Sequence, residues 1–263
     1  MNESVNRVMT FSLRSLAAVV AVFVSGNVCR AAAEFPEPIN NQRGDYVLTP
    51  AEIALKKFTV PKGFNVSLFA AEPDVRQPIA LTTDAKGRLW VAECYSYDDR
   101  ENNYSANQRD RIVIYEDTDN DGRFDKRTVF WDKAWKLTSI EVGFGGVWAL
   151  CAPNLLFIPD ANGDDVPDGE PRVLLDGWDD DRIRHNIVNG LKWGPDGWLY
   201  GRHGILTTSL VGQPGTSKAN RTALNCSIWR YHPTRKAFEV VCHGGTNPWG
   251  HDWDENGELF WVN

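Results

Sequence analysis

An all-β fold, specifically a β-propeller of four-stranded blades, is predicted for this 263-residue chain by three observations. A short strand, a tight glycine-bearing turn and a second strand opening on an aromatic or leucine residue recur four times. The equivalent aromatics Trp90, Trp148, Tyr200 and Phe260 stand 58, 52 and 60 residues apart, a period suited to propeller blades. Each of the first three copies is followed by a second hairpin, which brings the unit to four strands. The 22 glycines and 14 prolines supply the turns that such a chain needs.

Taken in order, residues 1–33 read as an export signal. Arg7 and Arg14 precede a nine-residue apolar run, Leu16 to Val24, and Ala31-Ala32-Ala33 offers an A-x-A cleavage site. The alternative, a membrane anchor, needs about 20 apolar residues. Residues 34–57 form a Pro- and Asn-containing lead-in with one helical stretch at 50–57. Residues 58–263 are the propeller. Within it, residues 58–70 (FTVPKGFNVSLFA) are expected to form an extra strand that closes the ring as the outer strand of a last blade. The four tight-turn hairpins fall at 78–93, 138–150, 190–203 and 250–263. The second hairpins pair 111–117 with 127–132, 154–160 with 171–176, and 227–233 with 237–243. The alternation and β-branched content of these runs suit strands. The count is three blades, half of a fourth and a closing strand. Such an arc leaves a sheet edge unpaired, so the chain reads as the N-terminal part of a longer protein or a fragment. The alternative is an open β-sheet domain complete in itself.

The formal charge is −7, and no basic cluster exceeds two or three residues. Nucleic acid is thereby excluded as an expected partner, because a phosphate-binding face concentrates Lys and Arg. Of the five cysteines, Cys29 falls in the export signal, which leaves Cys94, Cys151, Cys226 and Cys242. No C-x-x-C-H occurs, so no haem is expected in this chain. Cys226 and Cys242 lie at equal distance from the turn near Thr234 and are expected to face each other and form a disulfide in an oxidising compartment. Cys94 and Cys151, ending equivalent second strands of adjacent blades, are a further pairing.

Two acidic loops match. Asp117-x-Asp119-x-Asp121-Gly122-x-x-Asp125 lies between the third and fourth strands of the first blade. Asp160-x-Asn162-x-Asp164-x-x-x-Asp168 takes the same place in the second. Oxygen ligands at positions 1, 3, 5 and 9 resemble the start of an EF-hand loop and favour Ca²⁺. A solvated Asp/Asn turn is the alternative. Both are third-turn loops, so they share a face with the tight glycine turns.

The opposite face collects the long second connections, 95–110 and 204–225, together with Glu93, Arg184, His185, Asn186, Arg202, His203, Thr246 and Asn247. With His251, three histidines gather near one rim of the axis, where long loops on a rigid scaffold usually carry binding groups. His185 precedes an inner strand and is the candidate general base, since an imidazole titrates near neutral pH. Arg184 and Arg202 are candidates to orient anionic or carbonyl oxygens.

The run His185-Asn186-x-x-Asn189-Gly190-Leu191-x-x-Gly194-Pro195-Asp196-Gly197-x-Leu199-Tyr200 resembles the stretch around the catalytic histidine of soluble quinoprotein glucose/sorbosone dehydrogenases. Gly244-Gly245-Thr246-Asn247-Pro248-Trp249-Gly250 resembles their Arg-Asn-Pro-x-Gly segment, which helps hold pyrroloquinoline quinone (PQQ). Residues 58–263 as a whole, with Val60-Pro61-x-Gly63-Phe64 at their start, resemble the N-terminal propeller of the membrane-bound dehydrogenase family, whose long members continue into helical repeats and a haem-c domain. The resemblance implies PQQ as cofactor, His185 as base and Asn247, with Arg184, Arg202, His203 and Thr246, around the cofactor. It implies a sugar or alcohol substrate and electron transfer to a C-terminal haem-c domain or cytochrome. Thr246 stands where the sugar dehydrogenases carry arginine, and their later basic quinone contacts fall beyond Asn263. This chain alone is therefore expected to be inactive. The other readings are a non-catalytic carbohydrate-binding propeller and a calcium-stiffened scaffold for protein partners.

Overall fold

The computed structural model describes residues 49–98, 103–180 and 186–262. The export signal, Arg184 and His185 lie outside the described residues. A five-residue helix, α1 (Ala51–Leu55), precedes sixteen strands. Blade 1 is β1 (Pro78–Thr83), β2 (Leu89–Glu93), β3 (Asp110–Glu116) and β4 (Lys126–Ala134). Blade 2 is β5 (Leu137–Val142), β6 (Gly146–Cys151), β7 (Asn154–Pro159) and β8 (Arg172–Asp176). Blade 3 is β9 (Val188–Trp193), β10 (Leu199–His203), β13 (Ser227–Tyr231) and β14 (Phe238–His243). It carries an inserted hairpin of β11 (Ser209–Val211) and β12 (Thr222–Leu224). Blade 4 begins with β15 (Gly250–Trp253) and β16 (Leu259–Val262). Blades 1–3 are antiparallel four-stranded sheets in up-and-down order. Their first strands β1, β5 and β9 pack in succession and are the inner strands of the arc.

Turn chemistry explains the repeat. Asp84 accepts the N–H groups of Lys86 and Arg88, and Asp254 accepts those of Asn256 and Glu258. Both turns then place a glycine at positive φ, +79° at Gly87 and +81° at Gly257, where a Cβ would be strained. The recurring aromatic locks three of the four turns. The Trp90 indole N–H donates to Asp84, that of Trp148 to the Gly143 carbonyl, and the Tyr200 hydroxyl to Asp196. Phe260 has no polar group to do this and is exposed.

The core lies between blades. Trp90, Ile112 and Ile114 of blade 1 meet Ile140, Val147 and Leu156 of blade 2. Trp148, Leu150 and Phe157 on the other face of blade 2 meet Leu199, Trp229 and Tyr231 of blade 3. A sheet covered on both faces loses the apolar–polar alternation, and β6 is buried at every residue. Trp198, Tyr200 and Ile228 carry the seam to Trp253, Leu259 and Trp261 of blade 4.

Two expectations are corrected here. Residues 58–70 form no strand, because among the described residues no ladder partner runs beside them, and the Phe124 N–H to Phe69 carbonyl bond is an isolated contact. With α1 they wall an apolar groove of about 450 Å³ against Leu81, Leu89 and Val91. Cys226 and Cys242 are both free thiols and do not face each other. Tyr231 faces Phe238, and a bulge between Ile228 and Trp229 shifts the register again, so Cys242 faces Ile228. Cys226 passes Gly244, whose N–H its carbonyl accepts at 2.7 Å. Cys94 and Cys151 are also free and buried.

Candidate functional site

The acidic loops and the tight turns share a face, as strand order requires. Arg88, in the first tight turn, bonds Asp84 at 2.8 Å and reaches across to Asp165 of the second acidic loop at 2.7 Å. The Asp160 N–H donates to the Gly145 carbonyl at 2.9 Å. In the first loop, carboxylate oxygens of Asp117, Asp119 and Asp125 all lie within 4.8 Å of one another, a donor set that suits a hard cation. Asp121 instead accepts the Arg123 N–H at 2.8 Å. In the second loop Asp160 accepts the N–H groups of Gly163 and Asp164, Asp168 accepts that of Ala161, and Asn162 bonds Asp164. The first loop has bonds of the same kind, Asp117 accepting the N–H groups of Asp121 and Gly122 and Asp125 that of Thr118, and among the described residues the convergence of three carboxylates is found in the first loop.

On the opposite rim the segments of blades 3 and 4 converge at Asn186. Its side-chain NH₂ donates to the Asn247 side-chain carbonyl at 2.5 Å and to the Thr246 backbone carbonyl at 3.3 Å. Its own carbonyl accepts the Leu206 N–H at 2.9 Å. The Thr246 carbonyl also accepts the Ile205 N–H at 3.0 Å. A buried Asn making these bonds ties the start of β9, the loop after β10 and the 244–249 loop into one unit. The residue adjoining His185 is thus bonded to the segment carrying Asn247.

Arg202 and His203 are neighbours in β10 and therefore point to opposite faces of blade 3. His203 is fully buried. Its Nδ1 meets the Gly204 carbonyl and its Nε2 meets Ser209 Oγ, each at 2.7 Å. A carbonyl only accepts, so Nδ1 carries the proton and Ser209 donates to Nε2. Ser209 Oγ in turn accepts the Asp179 N–H. Burial lowers the pKa of His203 against the opposing pull of the Gly204 bond and Asp179. Glu93, the other charged rim candidate, is likewise sealed in. It accepts hydrogen bonds from Tyr95, Tyr115 and the Arg76 N–H and lies 3.6 Å from Arg127.

Arg202 faces blade 4. It is 7% exposed, and burial alone lowers its pKa to about 10. Its guanidinium lies across Gly190, where a Cβ would sit 1.5 Å from Nη2. Gly190 adopts φ +65° within the bulge that pairs Arg202 with Asn189. A glycine inside a strand marks such a close approach. His251, in β15, is 8% exposed. Burial first, then the charges of Arg202 and Lys192, lower its pKa to about 3.

These two imidazoles set an acid limit on stability. Both are neutral in the fold, whereas an unfolded histidine titrates near 6.5. As pH falls below about 6.5 the unfolded chain takes up protons that the folded one refuses. Stability should then fall by up to about 1.4 kcal/mol per pH unit for each histidine. For His251 the loss continues towards its folded value of about 3. Urea unfolding between pH 7.5 and 4 measures the slope, and His251→Gln should reduce it.

A family model described as a domain of unknown function, DUF7133, matches residues 50–263. No curated protein matches the chain. Among solved structures, the PQQ-bound form of an aldose sugar dehydrogenase from Streptomyces coelicolor is similar at 17% identity and TM-score 0.46, over 71% of this chain and 56% of that one. A Thermus thermophilus protein described as an oxidoreductase of glucose dehydrogenase type is similar at 19% identity and TM-score 0.46, over 71% and 58%. A luciferin-regenerating enzyme is similar at 10% identity and TM-score 0.44, over 72% and 53%. The chain spans little more than half the length of each.

Proposed function

The chain belongs to the DUF7133 family, whose domain covers residues 50–263, and within that family we propose for it the role of the front part of an exported quinoprotein-type dehydrogenase that oxidises a sugar or an alcohol. The observation that carries this reading is the hydrogen bond between Asn186 and Asn247. It joins the two segments that resemble the base-bearing and cofactor-holding runs of sugar dehydrogenases, 61 residues apart in the chain. The donor set suits an acidic quinone such as PQQ, because the buried Arg202 has no carboxylate partner among the described residues.

In this reading Asn247 and Thr246 border the cofactor, and Arg184 and Arg202 orient its oxygens or those of the substrate. When bound, the quinone supplies the hydride acceptor. His185 takes the proton of the substrate hydroxyl. Residues 1–33 direct export, and a haem-c domain or cytochrome receives the electrons. Kinship with the membrane-bound dehydrogenases belongs to the same proposal. No described helix is long and apolar enough to cross a membrane.

The test is a PQQ titration of the full-length protein, with an artificial electron acceptor and panels of aldoses and alcohols. Asn247→Ala should weaken PQQ at least tenfold while leaving turnover at saturating cofactor nearly unchanged. A full-length protein that neither binds PQQ nor oxidises either panel sinks this reading and favours a carbohydrate-binding propeller.

Ca²⁺ at Asp117, Asp119 and Asp125 is part of the proposal. Calcium should raise the melting temperature of the wild type and leave that of Asp119→Ala unmoved. An unchanged wild-type melting curve on adding chelator would show the loop to be a turn alone.

A further inference from the structure

Several buried charges among the described residues have partners. Arg88 has Asp84 and Asp165, Lys136 has Asp180, Arg221 has Asp176, and Asp110 accepts from Ser96 and the Leu137 N–H. Arg202 has no hydrogen-bond partner among the described residues, and its Nε and Nη1 are fully buried. Beside it, both ring nitrogens of His251 are buried without a partner, and so is the side-chain carbonyl oxygen of Asn189, opposite Arg202 in the sheet. These atoms are out of contact with bulk solvent, and a bare guanidinium is costly to bury.

The chain builds room for this arrangement. Gly190 lets the guanidinium cross the inner strand, and the position a Cβ of Gly250 would take lies 4.0 Å from Nη1. Tyr200 and Trp253 flank His251, with ring centroids 6.2 and 5.3 Å away. The nearby carboxylate, Asp252, is already bonded to Lys192 at 2.7 Å. The local balance is therefore cationic and rich in N–H donors. A guanidinium fork beside an imidazole N–H is the donor set that recognises an oxyanion.

We propose that Arg202 and His251 form a seat between blades 3 and 4 for one oxyanion, a carboxylate, sulfate or phosphate group carried by a small ligand that enters from the inner face of the arc. The seat does not depend on the dehydrogenase reading. If that reading also holds, the group belongs either to an acidic substrate or to the cofactor.

The experiment uses the full-length protein at constant ionic strength. Binding of acetate, sulfate and phosphate is followed by calorimetry and by melting temperature, for the wild type, Arg202→Met and Arg202→Lys. The expected result is saturable binding of at least one anion by the wild type, weakened at least tenfold in Arg202→Met and less in Arg202→Lys. Arg202→Met should melt at or above the wild type in anion-free buffer, because it removes an unpaired buried charge, and below it once the anion saturates. A parallel PQQ titration separates the sources. Unchanged PQQ affinity in Arg202→Met assigns the oxyanion to the substrate, and parallel loss assigns it to the cofactor. Absence of saturable binding for all three anions by the wild type overturns the seat. That measurement needs no folded variant. Failure of the dehydrogenase reading shows instead in the activity panels and leaves the anion arms intact.

Discussion

Replacement of His185 by alanine in the full-length protein lowers the turnover of sugar or alcohol oxidation by roughly 10²- to 10⁴-fold, the range for losing a general base. The argument is partly one of elimination among three histidines. His203 cannot serve, because a carbonyl and a serine occupy both of its nitrogens in a fully buried site. His251 is a poor base near neutral pH, since burial and the adjoining cations lower its pKa to about 3. His185 is the remaining rim histidine, and imidazole is the side chain whose unperturbed pKa suits proton abstraction near neutral pH. The pH–rate profile should lose its acidic limb in His185→Ala, while the melting temperature stays near that of the wild type. His203→Ala should show the reverse pattern, with lost stability preceding any loss of turnover. A His185→Ala protein with full activity would remove the base assignment.

Trp229→Ala should destabilise the protein by about 3–5 kcal/mol, the range for deleting a buried tryptophan. Trp229 is fully buried and packs against Trp178 and Phe238, with centroids at 5.4 and 5.8 Å. It also fills the space over Gly201, where a Cβ would lie 2.2 Å from its ring. Gly201 itself has no side chain to move in and close the cavity. Trp229→Phe, which keeps much of the packing, should cost clearly less, and denaturant titration of the two variants gives the comparison. An alanine variant within about 1 kcal/mol of the wild type would contradict the inter-blade core, since core truncations of this kind cost several times more.

The strands were legible because their signals are local. Asp84 and Asp254 each turn the chain by accepting the N–H groups two and four residues on, and the recurring aromatic closes the turn from the next strand. Hydrophobic runs bounded by such turns mark the hairpins, and strand order alone assigns the acidic loops and the long connections to opposite faces. The resemblance of the 185–200 and 244–250 runs is likewise readable residue by residue.

What escaped that reading depends on contacts across the sheet and between sheets. The turn already sets Tyr231 opposite Phe238, one residue off the symmetric register, and a bulge between Ile228 and Trp229 adds a second shift that separates Cys226 from Cys242; no local pattern announces either. Residues 58–70 have the composition of a strand, but a strand exists only where a ladder partner supplies its hydrogen bonds. Arg202 and His203 are adjacent and equally polar in sequence. Pleating turns one towards Ser209 in blade 3's own inserted hairpin and the other towards blade 4. One side chain finds its hydrogen-bond partners and becomes structural, while the other is buried without any, and only the packing of neighbouring blades makes that difference.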